Sequence, residues 1–179
     1  MPELRDIPQG TILGLNYTGL HDAALVAVAP SGDISFACSL ERVTRHKRDG
    51  RWPEALLSQV PWRNVVGVAI SSLDFDAASL LGKNHGVAGW PLRTSSGQPS
   101  VGRYPVEWQE KIASLPVQQW RYDHHLCHAA SAYGPSRYQD ALVLPCDAGA
   151  YQCPWFAAAY RGRGRDLETL GGMRAGEYH

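Results

Sequence analysis

Thr11-Ile12-Leu13-Gly14-Leu15-Asn16, Ala23-Ala24-Leu25-Val26-Ala27-Val28-Ala29 and Ile34-Ser35-Phe36-Ala37-Cys38-Ser39-Leu40 are three short apolar runs separated by polar turns. Apolar runs of this length, joined by tight polar turns such as Pro30-Ser31-Gly32-Asp33, read as strands of a meander. Residues 53–60 follow as a helix with Pro53 in its first turn, and Val65-Val66-Gly67-Val68-Ala69-Ile70 is a continuous apolar strand of the buried parallel kind. Strand, helix and strand thus return the chain to one sheet.

Working outward, residues 71–105 break the pattern with repeated Gly, Pro and Ser, a long surface excursion whose Lys83, His85, Trp90 and Arg93 read equally as contacts to a substrate or partner and as surface residues that do neither. Residues 106–115 have helical spacing, and residues 117–122 are extended. Next comes Asp123-His124-His125-Leu126-Cys127-His128-Ala129-Ala130-Ser131-Ala132-Tyr133, a helix ended by Gly134-Pro135. Strands are expected over 141–146, 155–160 and 167–170, with Arg161-Gly162-Arg163-Gly164-Arg165-Asp166 as the turn between the last two. The order is β-β-β-α-β-α-β-α, and then three strands beginning again.

Three features carry candidate chemistry. His124 and His128 are four residues apart, so a helix puts them on one face about 6 Å apart in rise, within reach of a single ion. Asp147, after the apolar run 141–146, is the best third ligand, and two imidazoles with one carboxylate leave positions open for substrate oxygens. The same spacing also serves ordinary half-buried histidines that hydrogen-bond and hold nothing. The second feature is the most basic stretch, Glu41-Arg42-Val43-Thr44-Arg45-His46-Lys47-Arg48-Asp49-Gly50-Arg51, which reads equally as a solvated face or as a phosphate site. The third is the polar turn Tyr17-Thr18-Gly19-Leu20-His21-Asp22.

At 179 residues the chain has the length of one domain, or of a domain and a fragment of a second. Its 17 basic and 17 acidic side chains cancel, so bulk charge favours neither nucleic acid nor an anionic membrane. No run approaches the about 18 apolar residues of a membrane span, and residues 1–10 lack a signal-peptide core, so a cytoplasmic protein is expected. Cys38, Cys127, Cys146 and Cys153 form no C-x-x-C pair and read as buried free thiols.

Four motifs in one order resemble the amino-terminal part of the ATP-dependent O-carbamoyltransferases of nodulation-factor and antibiotic biosynthesis, within the actin, sugar-kinase and chaperone-ATPase superfamily. They are residues 12–16 with His21-Asp22-Ala23-Ala24, residues 40–47 with Trp52-Pro53, the helix 124–133, and the loop Asp147-Ala148-Gly149. The chain departs from the family pattern at Leu40, Ala148 and Tyr151.

The resemblance implies an α/β fold: a ribonuclease-H-like, actin-like ATPase lobe with a mixed sheet over residues 1–136, and the truncated start of a second lobe over 137–179. It implies transfer of a carbamoyl group from carbamoyl phosphate, through carbamoyl adenylate made with ATP, to a hydroxyl of a small-molecule natural product. Site roles follow by the same resemblance. His21 would be the general base beside Asp22, Arg42, Arg45, Lys47 and Gly149 would bind substrate or nucleotide, and His124, His128 and Asp147 would hold a divalent metal. Iron is the ion the family suggests, while the ligand types also admit zinc or manganese. The alternative is a non-catalytic half that binds nucleotide or metal, or one that needs a second polypeptide to complete the site.

Overall fold

A computed structural model describes residues 3–17, 22–72, 90–91, 106–146 and 155–174. These residues form a mixed α/β protein with two sheets, one six-stranded in the order β3-β2-β1-β4-β6-β5 and one three-stranded in the order β7-β8-β9. The described residues divide into two compact units, one running to Arg121 and the other from Tyr122.

In the first unit, β1 (Thr11–Asn16), β2 (Ala24–Val28) and β3 (Ile34–Ser39) form the expected antiparallel meander. The Pro30–Asp33 turn is closed because Gly32 takes φ 91° and the Ser31 hydroxyl donates to Asp33 Oδ2 at 2.8 Å. Two short helices follow, α1 (Leu40–Thr44) and α2 (Glu54–Leu57), the latter about half the length the sequence suggests. Then β4 (Val65–Ser72) pairs parallel with β1. It is not buried on both faces: Val68 and Ile70 are inside, whereas Val66 is 53% exposed, as its neighbour Ile12 in β1 is at 42%. Alternation along β1 and β4 therefore sorts one apolar face inward.

β5 is a two-residue edge (Trp90–Pro91), α3 spans Val106–Ala113, and β6 (Gln118–Asp123) lies between β4 and β5. Of the 71–105 excursion, Lys83, His85 and Arg93 lie outside the described residues, and Trp90 belongs to β5. The inward face carries sixteen buried residues, among them Leu13, Leu15, Leu25, Leu40, Leu56 and Ile112. Burying one such leucine contributes about 2 kcal/mol relative to leaving it in water. Gly67 is required here, because a β-carbon on it would run into the Trp120 indole.

The second unit starts with the helix α4 (His124–Tyr133), so the histidine helix goes with the second sheet rather than with the lobe expected to end at residue 136. It packs on β7 (Asp140–Val143) and β8 (Trp155–Arg163), through a small core of Ala129, Ala158 and Tyr160 flanked by Leu126, Val143 and Leu167. β8 and β9 (Asp166–Arg174) run longer than their apolar centres suggest. Arg161 and Arg163, read as turn residues, are strand residues facing outward, and the hairpin turn is only Gly164-Arg165, with Gly164 at φ 61°. Tyr133 locks helix to sheet: its ring lies over Gly162, where a β-carbon would come within 2.5–2.6 Å of it. Its hydroxyl reaches the carbonyls of Gln139 (3.1 Å) and Gly164 (3.3 Å).

Cys38, Cys127 and Cys146 are free thiols. Cys146 is exposed rather than buried, because β7 ends at Val143 and only a single bridge to Ala157 holds the chain at Cys146. No helix of the described residues is long and apolar enough to cross a membrane.

Candidate functional site

Two candidate regions are described, one in each unit. In the second, α4 follows β6 directly and its first residue is His124. One helical turn brings the Nε2 atoms of His124 and His128 to 3.0 Å, with ring centroids 4.5 Å apart and planes at 78°. His128 is exposed and His124 half-buried.

A 3.0 Å separation has two chemical meanings. One neutral ring can donate its N–H to the other's lone pair, or both lone pairs can point at one ion. Two imidazoles bound to one ion at about 2.0–2.1 Å have nitrogens about 2.8–3.4 Å apart for angles of roughly 90–110°. The observed pair fits that range, so these two side chains suit a divalent metal. Asp147, the expected third ligand, lies outside the described residues, as does Gly149. Among the described residues no group of three or more His, Cys, Asp or Glu side chains is arranged to hold an ion. His125, between the two, is fully buried in contrast to them, so the helix separates a core imidazole from a pair nearer solvent.

In the first unit the basic stretch is a shaped loop. Arg45 ends α1 in the left-handed conformation at φ 60°, its N–H donating to Glu41 O at 2.9 Å, and Arg48 has φ 56°. Non-glycine residues in this region of backbone space cost about 1–2 kcal/mol each, so the surroundings must hold them there. Two carboxylates do so. Glu41 Oε2 accepts from the Arg48 N–H at 3.1 Å. Asp49, 2% exposed, accepts from the Thr44 hydroxyl (2.7 Å), from the Arg51 backbone N–H (3.1 Å), and from Arg51 Nε (2.9 Å) and Nη2 (2.6 Å) as a fork. The Arg51 hydrogen bond above all, aided by Thr44, holds the Asp49 carboxyl well below the usual carboxylate range despite burial; Asp49 in turn raises Arg51.

Asp22, a candidate catalytic residue, belongs to the same locality. It too is left-handed, at φ 55°, and Asn16 Nδ2 donates to its carbonyl at 2.9 Å. Its neighbour Ala23 donates N–H to Asp49 O (2.9 Å), and Ala23 O accepts from Leu40 N–H (2.7 Å). All three non-glycine residues of positive φ among those described thus sit at this junction. His21 lies outside the described residues.

Asp22 is therefore tied to the segment that carries Arg42, Arg45 and Lys47. The three cationic side chains are exposed, and Arg42 leans on Glu41 at 3.6 Å. Sequence reasoning missed Asp49, Thr44 and Arg51 as a structural group. The available signal was an acid two residues before an arginine inside an otherwise cationic run. Neither any protein-family model nor any curated protein matches the chain.

Proposed function

We propose that the chain is the amino-terminal portion of an O-carbamoyltransferase: it transfers a carbamoyl group from carbamoyl phosphate, through carbamoyl adenylate made with ATP, to the hydroxyl of a small-molecule natural product. The observation that carries this reading is the convergence of the His124 and His128 Nε2 atoms at 3.0 Å, on the helix whose motif resembles the metal helix of that family. The meander β1–β3, the parallel β1–β4 pairing and the recurrence of an antiparallel three-stranded sheet after α4 support the finer reading of ribonuclease-H-like lobes.

His124 and His128 would hold the ion, with Asp147 as the expected third ligand. A divalent ion bound there supplies Lewis acidity and a template for nucleotide phosphate oxygens. Arg45 and Lys47, exposed on a loop of fixed shape, bind and neutralise phosphate oxygens, with arginine able to clamp two at once. His21, in its neutral form, takes the proton of the acceptor hydroxyl as its oxygen attacks the carbamoyl carbon of carbamoyl adenylate and the bond to the phosphate oxygen breaks, releasing AMP; Asp22 beside it orients the turn. The location assigned to this chemistry is the cytoplasm.

The test is release of pyrophosphate from ATP that depends on carbamoyl phosphate, measured on the full chain alone and mixed with candidate carboxy-terminal partners, alongside elemental analysis. Close to one metal per chain, lost in His128→Ala, and carbamoyl-phosphate-dependent release are expected. Folded protein without metal and without such release in any mixture would sink the reading. A second reading, a non-catalytic half completed by another polypeptide, is favoured by exposed leucines in and just after β7 and in β9, where Leu142, Leu144 and Leu170 are 62%, 59% and 54% exposed.

A further inference from the structure

The basic loop holds five cationic side chains that are not equivalent, and the difference is set by two acids. Arg51 is committed to Asp49 through a two-pronged bond, and Arg42 is partly engaged by Glu41. Arg45, Lys47 and Arg48 are exposed, and among the described residues none of them has an ion-pair partner. Two of these three, Arg45 and Arg48, stand on left-handed backbone, a conformation arginine does not choose for itself. Glu41 takes the N–H groups of both strained residues, and the rest of the loop is closed by bonds that converge on Asp49: Thr44, the last residue of α1, binds its side chain, Arg51 closes the far end of the loop on it, and its carbonyl joins the loop to Ala23 beside Asp22.

We infer that Asp49 is the positioning residue of an anion site formed by Arg45, Lys47 and Arg48, a site for the phosphate oxygens of a phosphorylated or nucleotide substrate. This deepens the proposed function and rests on its assignment of phosphate contacts to the loop; it adds Arg48 to the contacting set and gives Asp49 its role. Asp49 touches no substrate. Its carboxylate fixes the backbone from which the three cations project, so that they share one anion instead of sampling solvent separately.

The sign of one substitution separates positioning from plain electrostatics. Asp49→Asn removes a negative charge from the neighbourhood of the anion, and Coulomb's law alone makes anion binding tighter. Positioning makes it weaker, since an amide cannot accept the full Arg51 fork and the Thr44 bond together. Arg51→Lys adds a second discrimination: it retains the charge and loses the fork, so a mere charge contact would survive and a clamp would not.

The experiment is calorimetric titration of the full chain with pyrophosphate at low ionic strength, for the unmutated protein, Asp49→Asn, Arg51→Lys and Arg48→Ala. Expected are binding by the unmutated chain and about tenfold or greater weakening in each variant, the scale of a lost charge-assisted bond. Should Asp49→Asn fail to melt cooperatively, Thr44→Val, which removes one bond to Asp49 and leaves the fork, replaces it with an expected weakening of about threefold. Binding by the unmutated chain with equal or tighter binding by the folded Asp49 or Thr44 variant overturns the positioning role and leaves the loop's phosphate contacts standing. Absence of pyrophosphate binding in the unmutated chain overturns the anion site itself, and with it this part of the proposed function.

Discussion

The two sheets are stabilised by different means. The first collects sixteen buried residues from strands, short helices and the segment before β1, where Leu4 and Ile7 pack and the Asn64 side chain donates to Ile7 O at 2.8 Å. Among its described residues the second buries fewer apolar side chains, Ala129, Tyr133, Ala157, Ala158 and Tyr160, sets Tyr133 over a glycine, and carries ion pairs as well as exposed leucines on its outward face, with Arg161 forked onto Asp140 at 2.9 and 3.2 Å and Arg163 at 3.4 Å. Apolar area stabilises in proportion to its extent, whereas exposed ion pairs add little. Among the described residues, the histidine pair thus stands on the unit with fewer buried apolar residues, and the basic loop on the unit with more.

This contrast can be broken at its strongest point first. Leu13→Ala, in a fully buried position of β1, should cost about 3 kcal/mol in the urea transition of the first unit. A loss under about 1 kcal/mol would show that the sixteen-residue cluster is loosely packed. Next, Gly162→Ala drives a methyl into the Tyr133 ring and should cost about 1–3 kcal/mol. Hydrogen exchange locates that effect: amides of 155–174 should lose protection while those of β1, β2 and β4 keep theirs. Uniform loss across both sheets would make the two units one cooperative body.

Acid separates the units more finely. Because Asp49 is held below its ordinary range when folded, its contribution is present above the unfolded carboxylate value and is lost as pH falls through the folded one. The stability gap between the unmutated chain and Asp49→Asn should therefore be constant above about pH 5 and shrink below about pH 4, as measured by urea melts across pH. A gap that ignores pH would mean the carboxylate's charge is not what holds the loop. The smallest effect is expected at the exposed ladder, where Asp140 is likewise lowered by its Arg161 hydrogen bond. Arg161→Ala should leave the urea midpoint unchanged within error in ordinary salt, the common result for solvent-facing pairs.

Much of the first sheet was readable because its signals are local. The short apolar runs over Thr11–Asn16 and Ala24–Val28, with Gly32 in the turn that follows, need no knowledge of distant residues. The histidine helix was readable for the same reason, since the 3.0 Å meeting of His124 and His128 follows from one helical turn. What was not readable depends on partners far along the chain. Nothing near Gly67 announces Trp120, and nothing near Gly162 announces Tyr133. Outward Arg161 and Arg163 look like turn residues until their strand partners are known. In the basic stretch, counting charges hid the arrangement: Asp49 looks like one acid among cations, yet it is buried and commits Arg51, changing which cations are already paired with an acid.

Arg45 carries a consequence of its own. Its left-handed backbone would suit glycine better, so a protein engineer seeking a sturdier chain would be drawn to Arg45→Gly. That exchange relaxes the peptide and deletes a guanidinium at the same stroke, so robustness and the proposed phosphate capture are opposed at a single residue.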